Sequence, residues 1–308
     1  MQIAPGRALP DNAGFDHSLL TAMSQPALDL DLLKQWIGRT ETREDLIHAG
    51  IVNAMAATLD RDENYHSGDP LPALWHWLFF WAVSPASGIG PDGHPRRGGF
   101  LPPVELPRRM WAGGRLKFNA PLPVGAGVTR VSTIQDVNAK TGSTGRLAFV
   151  TVAHEISANG TLAVREEHDI VYRDNPQPGA APAAPKAAPT DAQWSRKIVP
   201  DPVLLFRYSA LTFNGHRIHY DRSYVTEVEG YPGLIVHGPL IATLLMDLVR
   251  RELPQRNVRE FSFRAVSPTF DTDSFSVNGK LSDDGKQVLL WAANHRGELT
   301  MQAEAVLA

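Results

Sequence analysis

The feature that most constrains the fold is a proline- and alanine-rich segment, NPQPGAAPAAPKAAPT, over residues 175–190. Proline fixes φ and lacks an amide donor, so repeated prolines prevent a regular helix or a central strand. We therefore interpret residues 175–192 as an extended linker. It separates residues 30–174 from residues 193–308, and each part is long enough to form a domain. Residues 1–29 are interpreted as an N-terminal extension.

The two sides of the linker repeat the same order of strand patterns. Before the linker, residues 115–137 alternate apolar and polar side chains, and residues 149–172 form two such runs around Asn159-Gly160. After the linker, residues 260–281 and 288–308 have the same organisation. Asn-Gly between alternating runs is a strong hairpin signal. The repeated pattern predicts an internal duplication.

One strongly apolar segment precedes these strands on each side. Residues 71–83 (LPALWHWLFFWAV) are too few to span a bilayer, so we expect a buried helix. Residues 234–253 carry Leu240, Leu244 and Leu248 at helical spacing and are also predicted to form a buried helix, with Asp247 as a solvated or capping charge. A long buried helix with antiparallel strands predicts an α+β fold, with a sheet wrapped around a helix in each half.

The composition excludes several classes of protein. The formal net charge of -3 lacks the basic excess that is typical of nucleic-acid binding. The chain contains no cysteine, which excludes disulfides, thiol nucleophiles and thiolate metal sites. Its first residues lack the basic start and apolar run of a signal peptide. Together these features predict a cytoplasmic protein that binds neither nucleic acid nor membrane.

The richest polar cluster is the segment FNGHRIHYD, residues 213–221, which lies ahead of the second apolar segment. It contains Asn214, His216, His219 and Asp221. A loop that carries imidazoles and leads to a helix start suits proton transfer and anion stabilisation. His216, His219 and Asp221 could alternatively ligate a metal. No further ligand is evident in this pattern, so we predict no metal site.

The segment resembles the MaoC-like, or hydratase 2, group of hot-dog proteins. The motif of that group runs Gly-Asp-x-Asn-Pro-aliphatic-His and is followed, further along the chain, by Ile-Val-His-Gly. His219 matches the motif His, and Gly238 matches the Gly whose backbone N–H binds the thioester oxygen. The resemblance implies a double hot-dog fold and a hydratase that adds water reversibly to an enoyl-CoA. It implies no cofactor, because CoA is part of the substrate.

One departure from the motif narrows the resemblance. Asn214 occupies the position of the motif Asp, and an amide cannot take a proton. We therefore assign proton transfer to His219 and the holding of water to Asn214. The segments LTFNGHRIHYD and EGYPGLIVHGPL together resemble the corresponding segments of the two-domain hydratases of itaconyl-CoA and mesaconyl-C4-CoA, which form citramalyl-CoA. That branch implies a non-catalytic N-terminal half, a catalytic C-terminal half, and a homodimer or larger assembly.

Four further side chains are candidate substrate-binding groups. Arg217 could contact a substrate carboxylate or the CoA phosphates, or it could pair with Asp221. His237 stands at the predicted helix start, where packing or capping is favoured over a role as a base. Phe213 and Tyr220 lie in the same segment as the catalytic candidates.

A dicarboxylyl substrate also needs a cation for its free carboxylate, and Arg217, Arg109 and Arg264 are candidates. The sequence is also compatible with two other functions: an acyl-CoA thioesterase of the same fold, and a non-catalytic acyl-CoA-binding protein. Residues 93–99 (GHPRRGG) are interpreted as an irregular loop near the mouth of the first half.

Overall fold

The computed structural model describes residues 28–142, 145–175 and 184–308. Most of the predicted N-terminal extension and the middle of the predicted linker lie outside these ranges, and the domain bounds stay a prediction. Within these ranges, no helix has both the length and the apolarity needed to cross a membrane. The helices are α1 Leu30–Lys34, α2 Ala49–Thr58, α3 Pro202–Leu211 and α4 Gly238–Glu252. The strands are β1 Thr40–Leu46, β2 Arg108–Phe118, β3 Gly127–Gly142, β4 Gly145–Ala158, β5 Thr161–Arg173, β6 Trp194–Ile198, β7 Val258–Ala265, β8 Phe275–Leu281, β9 Gln287–Ala293 and β10 Leu299–Leu307.

These strands form one antiparallel sheet in the order β1-β3-β4-β5-β2-β7-β10-β9-β8-β6. The five strands of the second half repeat the order of the first half in mirror image about the β2–β7 pair. This pair runs in register from Gly113 opposite Arg264 to Lys117 opposite Glu260. The predicted duplication is confirmed by this order.

The predicted hairpins are also confirmed. Asn159 and Gly160 join β4 to β5 with φ values of 50° and 77°. Positive φ at both positions is what a type I′ turn requires, and its twist matches that of the paired strands. Gly297, with φ of 74°, lies in the corresponding turn between β9 and β10.

Helix α4 confirms the buried helix predicted for the second half. It begins at Gly238 with Pro239 in its first turn, where proline lacks only an amide that has no partner inside the helix. All residues from Leu240 to Val249 are buried, and the helix packs against β8, β9 and β10. The start of α4 is thereby fixed relative to the sheet.

The predicted helix over residues 71–83 is wrong. Residues 71–80 are largely buried as expected, whereas Val83 is exposed. The segment forms only a 3₁₀ turn at Trp75–Leu78, between Leu74 and Phe80, whose φ values are 71° and 62°. These left-handed residues cannot belong to a right-handed helix. A continuous apolar run has no periodicity that distinguishes a helix from another buried conformation. The first half therefore has α2, Ala49–Thr58, as its longest helix.

A buried carboxylate explains the path of this segment. Glu166 of β5 interacts with His76 Nε2 at 2.8 Å, accepts a hydrogen bond from Trp77 Nε1 at 2.7 Å and also contacts His168. Burial opposes ionisation of Glu166, but His168 and His76 together lower its pKa well below the usual range. These contacts hold the aromatic segment against the sheet.

Asp247 of α4 is not the solvated or capping charge that we expected. Its side chain is 0% exposed and accepts hydrogen bonds from Arg61 at 2.7 Å, Arg196 at 3.0 Å and Arg251 at 2.7 Å. Arg61 follows α2 in the first half, whereas Arg196 belongs to β6. The carboxylate therefore connects elements of both halves around one buried charge, a link that helical spacing alone could not reveal.

We expect Asp247→Asn to lower the free energy of unfolding by about 3–5 kcal/mol. The partly buried guanidinium groups of Arg196 and Arg251 lose their counter-charge, whereas Arg61 keeps its pair with Glu63. Urea unfolding followed by circular dichroism measures the change. Glu155→Gln is the control, since the Glu155–Arg165 pair is 52% and 62% exposed and such a pair contributes at most about 1 kcal/mol. Equal stability of the two variants would contradict this role for Asp247.

Candidate active site

The loop that carries the predicted catalytic residues is held by α3 and by its own hydrogen bonds. Asp201 caps α3 by accepting from Leu204 N, and the helix ends at Leu211. The chain then turns at Phe213, whose φ is 50°. Asn214 N donates to Ser209 O at 2.8 Å, and Asn214 Oδ1 accepts from His216 N at 3.0 Å. The oxygen of Asn214 thus shapes the loop, which leaves its Nδ2 as the group available to a ligand.

His219 is buried and its tautomer is fixed by a backbone carbonyl. Its Nδ1 lies 2.7 Å from Ile235 O, and because a carbonyl only accepts, Nδ1 must carry the proton. Nε2 is therefore the unprotonated nitrogen, and it forms no hydrogen bond within the described part of the chain. Burial lowers the pKa of His219 to about 4, so the ring is neutral at neutral pH. This geometry makes Nε2 a proton acceptor.

His237 packs against the His219 ring at the start of α4, where the sequence predicted packing or capping. The two rings stack with centroids 3.7 Å apart, and His237 Nε2 lies 2.8 Å from Ser209 Oγ. His237 occupies the N-cap position of α4, but its side chain makes no capping hydrogen bond. Burial lowers its pKa well below the usual range. A second neutral ring thus holds the His219 imidazole in place.

Gly238 is the first residue of α4, so its N–H has no acceptor inside the helix. A Cβ placed on Gly238 would meet its nearest atom, Trp111 O, at 3.9 Å, which is an ordinary contact. The packing of the protein therefore does not require glycine at this position. The positive end of the helix dipole at this N–H favours a negative charge.

The remaining substrate-binding candidates lie around this centre. Arg217 donates to Asp221 through Nε and Nη2, at 3.0 and 2.8 Å, so the ion pair considered from the sequence is formed. Phe213 is exposed and stacks on Trp81 with ring centroids 5.2 Å apart. The hydroxyl of Tyr220 donates a hydrogen bond to Gly215 O at 2.9 Å. Their contact with a substrate stays a prediction.

The structure also separates the three candidate arginines for a substrate carboxylate. Arg217 is paired with Asp221, and Arg264 is exposed on β7. Arg109 lies on β2 opposite Tyr172. Burial lowers the pKa of His94 and His216, and the charge of Arg109 adds to this effect on both rings. Of these three candidates, Arg109 is the one whose charge lowers the pKa of His94 and His216.

Sequence reasoning missed Asp92 and His94, which come from the irregular loop of the first half. Asp92 Oδ2 lies 3.0 Å from His94 Nδ1, and the His94 and His216 rings are 4.0 Å apart. Within the described ranges, Asp92, His94 and His216 form the one group whose donor atoms could surround a metal ion. These residues differ from the metal-ligand set that the sequence offered, which combined His216 with His219 and Asp221. A polar Asp-Gly-His sequence inside a Gly- and Pro-rich loop was the available signal.

Comparison with known proteins places this chain in a family. The family model described as hydroxyacyl-thioester dehydratase type 2 matches residues 74–271. The chain is 48% identical over 250 residues to the mesaconyl-C(4)-CoA hydratase of Chloroflexus aurantiacus, which covers 81% of this chain and 89% of that protein. The chain belongs to the type 2 hydroxyacyl-thioester dehydratase family. A mitochondrial hydroxyacyl-thioester dehydratase type 2 of Schizosaccharomyces pombe is 31% identical over 221 residues, 64% of this chain and 73% of that protein.

Solved structures confirm the fold. A MaoC-like dehydratase from Phytophthora capsici superposes with a TM-score of 0.69 over 91% of this chain and 98% of that one, at 13% identity. A Mycobacterium tuberculosis protein described as a double hot-dog fold has a TM-score of 0.54 over 88% and 96% of the two chains, also at 13% identity. The predicted double hot-dog fold and MaoC-like family are confirmed. As a type 2 dehydratase family member the chain is a hydro-lyase, and its relatives do not favour the thioesterase or binding-protein alternatives.

The neutral state of His219 predicts how the stability of this dehydratase family member depends on pH. In the unfolded chain the pKa of His219 is about 6.5, whereas in the folded chain it is about 4. Below pH 6.5 the unfolded chain binds more protons, so acidification lowers the free energy of unfolding. Between pH 7.5 and pH 5, His219 alone should account for about 2 kcal/mol. Urea unfolding at the two pH values should therefore show a smaller loss for His219→Asn than for the wild type.

The exposed His66, with a side chain 73% exposed, provides the control, because His66→Ala should keep the pH dependence of the wild type. If His219→Asn also keeps it, the ring is not held neutral in the folded protein.

Proposed function

We propose that this protein hydrates mesaconyl-C4-CoA to citramalyl-CoA, with itaconyl-CoA as the second substrate to test. The observation that carries the proposal is the juxtaposition of a neutral imidazole, bare at Nε2, with the start of a buried helix. Water addition to an enoyl thioester needs these two groups: a base for the water proton and an N–H donor for the enolate oxygen. The 48% identity to the Chloroflexus aurantiacus hydratase supports the choice of acyl group.

The reaction balances with one imidazole. Water adds its oxygen to the β-carbon and gives one proton to Nε2 of His219. The π electrons move to the thioester oxygen, which the N–H of Gly238 stabilises. The imidazolium then returns its proton to the α-carbon on the same face, which gives syn addition and restores the neutral ring. No cofactor enters this scheme, since CoA is part of the substrate.

The charge of the substrate offers a reason for Asn at position 214. In mesaconyl-C4-CoA the β-carbon, which water attacks, carries the free carboxylate and the methyl group. A carboxylate side chain beside that carbon would face a like charge, which is costly in a buried site. The Nδ2 of Asn214 can instead donate to the water or to the substrate carboxylate. We propose Arg109 as the cation that offsets the substrate charge, because its charge acts on His216 and His94.

The direct test incubates the protein with mesaconyl-C4-CoA, itaconyl-CoA and crotonyl-CoA. Loss of the conjugated thioester absorbance gives the rate on mesaconyl-C4-CoA and crotonyl-CoA. Mass spectrometry identifies the products and follows water addition to itaconyl-CoA, whose double bond is not conjugated to its thioester. We expect His219→Ala to lower kcat by about 10²–10⁴-fold, because the proton acceptor is lost. The matched control is His295→Ala, which removes an exposed histidine of the same half. Retention of wild-type turnover in His219→Ala would exclude His219 as the base.

Asn214→Asp tests the charge argument. We expect kcat/KM for mesaconyl-C4-CoA to fall about 10–100-fold more than kcat/KM for crotonyl-CoA, which lacks the second carboxylate; this corresponds to about 1.4–2.8 kcal/mol. Arg109→Gln should likewise lower kcat/KM more for mesaconyl-C4-CoA than for crotonyl-CoA. Steady-state kinetics on both substrates gives the comparison, and equal losses would show that position 214 does not respond to the substrate charge.

A further inference from the structure

We propose that the N-terminal half completes the active site through residues 90–97, here named the Asp92 loop. Asp92 and His94 act as positioning residues that hold His216 beside His219, so that His216 fixes the attacking water in the site that has Asn at position 214. The proposal rests on the hydratase function proposed above. It also assigns a catalytic contribution to the half that the sequence suggested was non-catalytic.

The Asp92 loop is in direct backbone contact with the loop that contains Asn214 and Gly215. A Cβ on Gly93 would lie 1.9 Å from Gly215 O, and a Cβ on Gly215 would lie 2.9 Å from Gly93 O. Real Cβ contacts are essentially never this short, so the two glycines lie against each other without room for a side chain. The contact joins the Asp92 loop to the residue that follows Asn214.

Hydrogen bonds attach the same loop to the turn that carries His219. Arg217 N donates to Asp92 O at 2.9 Å, and Arg217 Nη1 donates to Pro91 O at 3.0 Å. Arg217 begins the 3₁₀ turn Arg217–His219. A displacement of the Asp92 loop would therefore be transmitted directly to the turn that orients the catalytic imidazole.

The side chains continue this connection as a row of rings. Asp92 accepts hydrogen bonds from His94 N and from His94 Nδ1, each at 3.0 Å, which fixes the proton of His94 on Nδ1. The His94 ring lies 4.0 Å from the His216 ring, and the His216 ring meets the His219 ring edge-on at 5.5 Å. The row begins at a carboxylate of one half and ends at the base of the other.

The protonation states of Asp92, His94 and His216 suit a role in positioning rather than in proton transfer. Burial lowers the pKa of His216 to about 2 and also lowers the pKa of His94. Burial opposes ionisation of Asp92, but the hydrogen bonds from His94 hold its pKa below the usual range. A neutral His216 can donate one hydrogen bond and accept another, as the holding of a water molecule requires. Misplacement of a reacting group by about 1 Å can cost about 10²-fold in rate.

A pair of glycine variants tests the contact between the loops. Gly93 and Gly98 both have positive φ, +90° and +102°, so alanine introduces similar backbone strain at each. Only Gly93→Ala also forces a Cβ onto Gly215, because nothing lies within 4 Å of a Cβ at Gly98. We expect Gly93→Ala to lower kcat on mesaconyl-C4-CoA about 10–100-fold, and Gly98→Ala to keep wild-type activity. Equal kcat in two folded variants would overturn the proposal.

A second set of variants keeps the proposal testable if Gly93→Ala does not fold. His94→Ala should lower kcat at least about 10-fold with little change in KM, because it releases His216 without removing a substrate contact. His94→Gln should recover part of the loss, since its amide can still donate to Asp92. His66→Ala, in the same half and exposed, is the control. Wild-type kcat in His94→Ala, or no recovery in His94→Gln, would contradict the positioning role.

Three outcomes separate this inference from its alternatives. If a chelator abolishes turnover and a divalent cation restores it, Asp92, His94 and His216 serve as metal ligands and the positioning role is overturned. If the wild-type protein hydrates none of the three thioesters, the proposed function fails and this inference fails with it. If the wild type is active and the paired variants do not differ, only this inference fails.

Discussion

The pairing of β2 with β7 is the interaction on which the rest of the structure depends. It joins two five-stranded halves into one sheet, and it requires a close approach of the two backbones. A Cβ on Gly113 would lie 2.6 Å from Phe263 O, so the pair needs glycine at that position. The same strand brings Trp111 O to the start of α4 at Gly238. Helix α4 therefore begins at the boundary between the halves.

The two halves have matching strands but different helices, and this difference places the site. The second half has α4, whose first turn and preceding loop supply Gly238, His237 and His219. The first half has the irregular aromatic segment over residues 71–83, which Glu166 holds. It also has the Asp92 loop, residues 90–97, which contacts the loop over residues 213–221. Asp247, with arginines from both sides, links the same helix to the first half near its other end. Packing between the halves thus fixes α4 towards both ends.

Burial sets the chemistry of this boundary. Three imidazoles, those of His216, His219 and His237, are kept neutral because their desolvation disfavours the charged form. A neutral ring whose Nδ1–H is held by Ile235 O presents a bare nitrogen without needing a carboxylate partner. This arrangement is compatible with Asn at position 214 and with the proposed substrate, which brings its own carboxylate to the reacting carbon.

Much of the fold was determined by the sequence alone, because it depends on local signals. Asn159-Gly160 located a hairpin, and helical spacing located α4. The break that proline content indicates between the halves stays a prediction. The spacing of His219 and Gly238 predicts the centre of the proposed site. The tertiary structure alone decided that residues 71–83 avoid a helix, that Asp247 is buried among arginines, and that Asp92 and His94 reach His216. These features arise from contacts between residues far apart in the chain, and such contacts leave no periodic trace in the sequence.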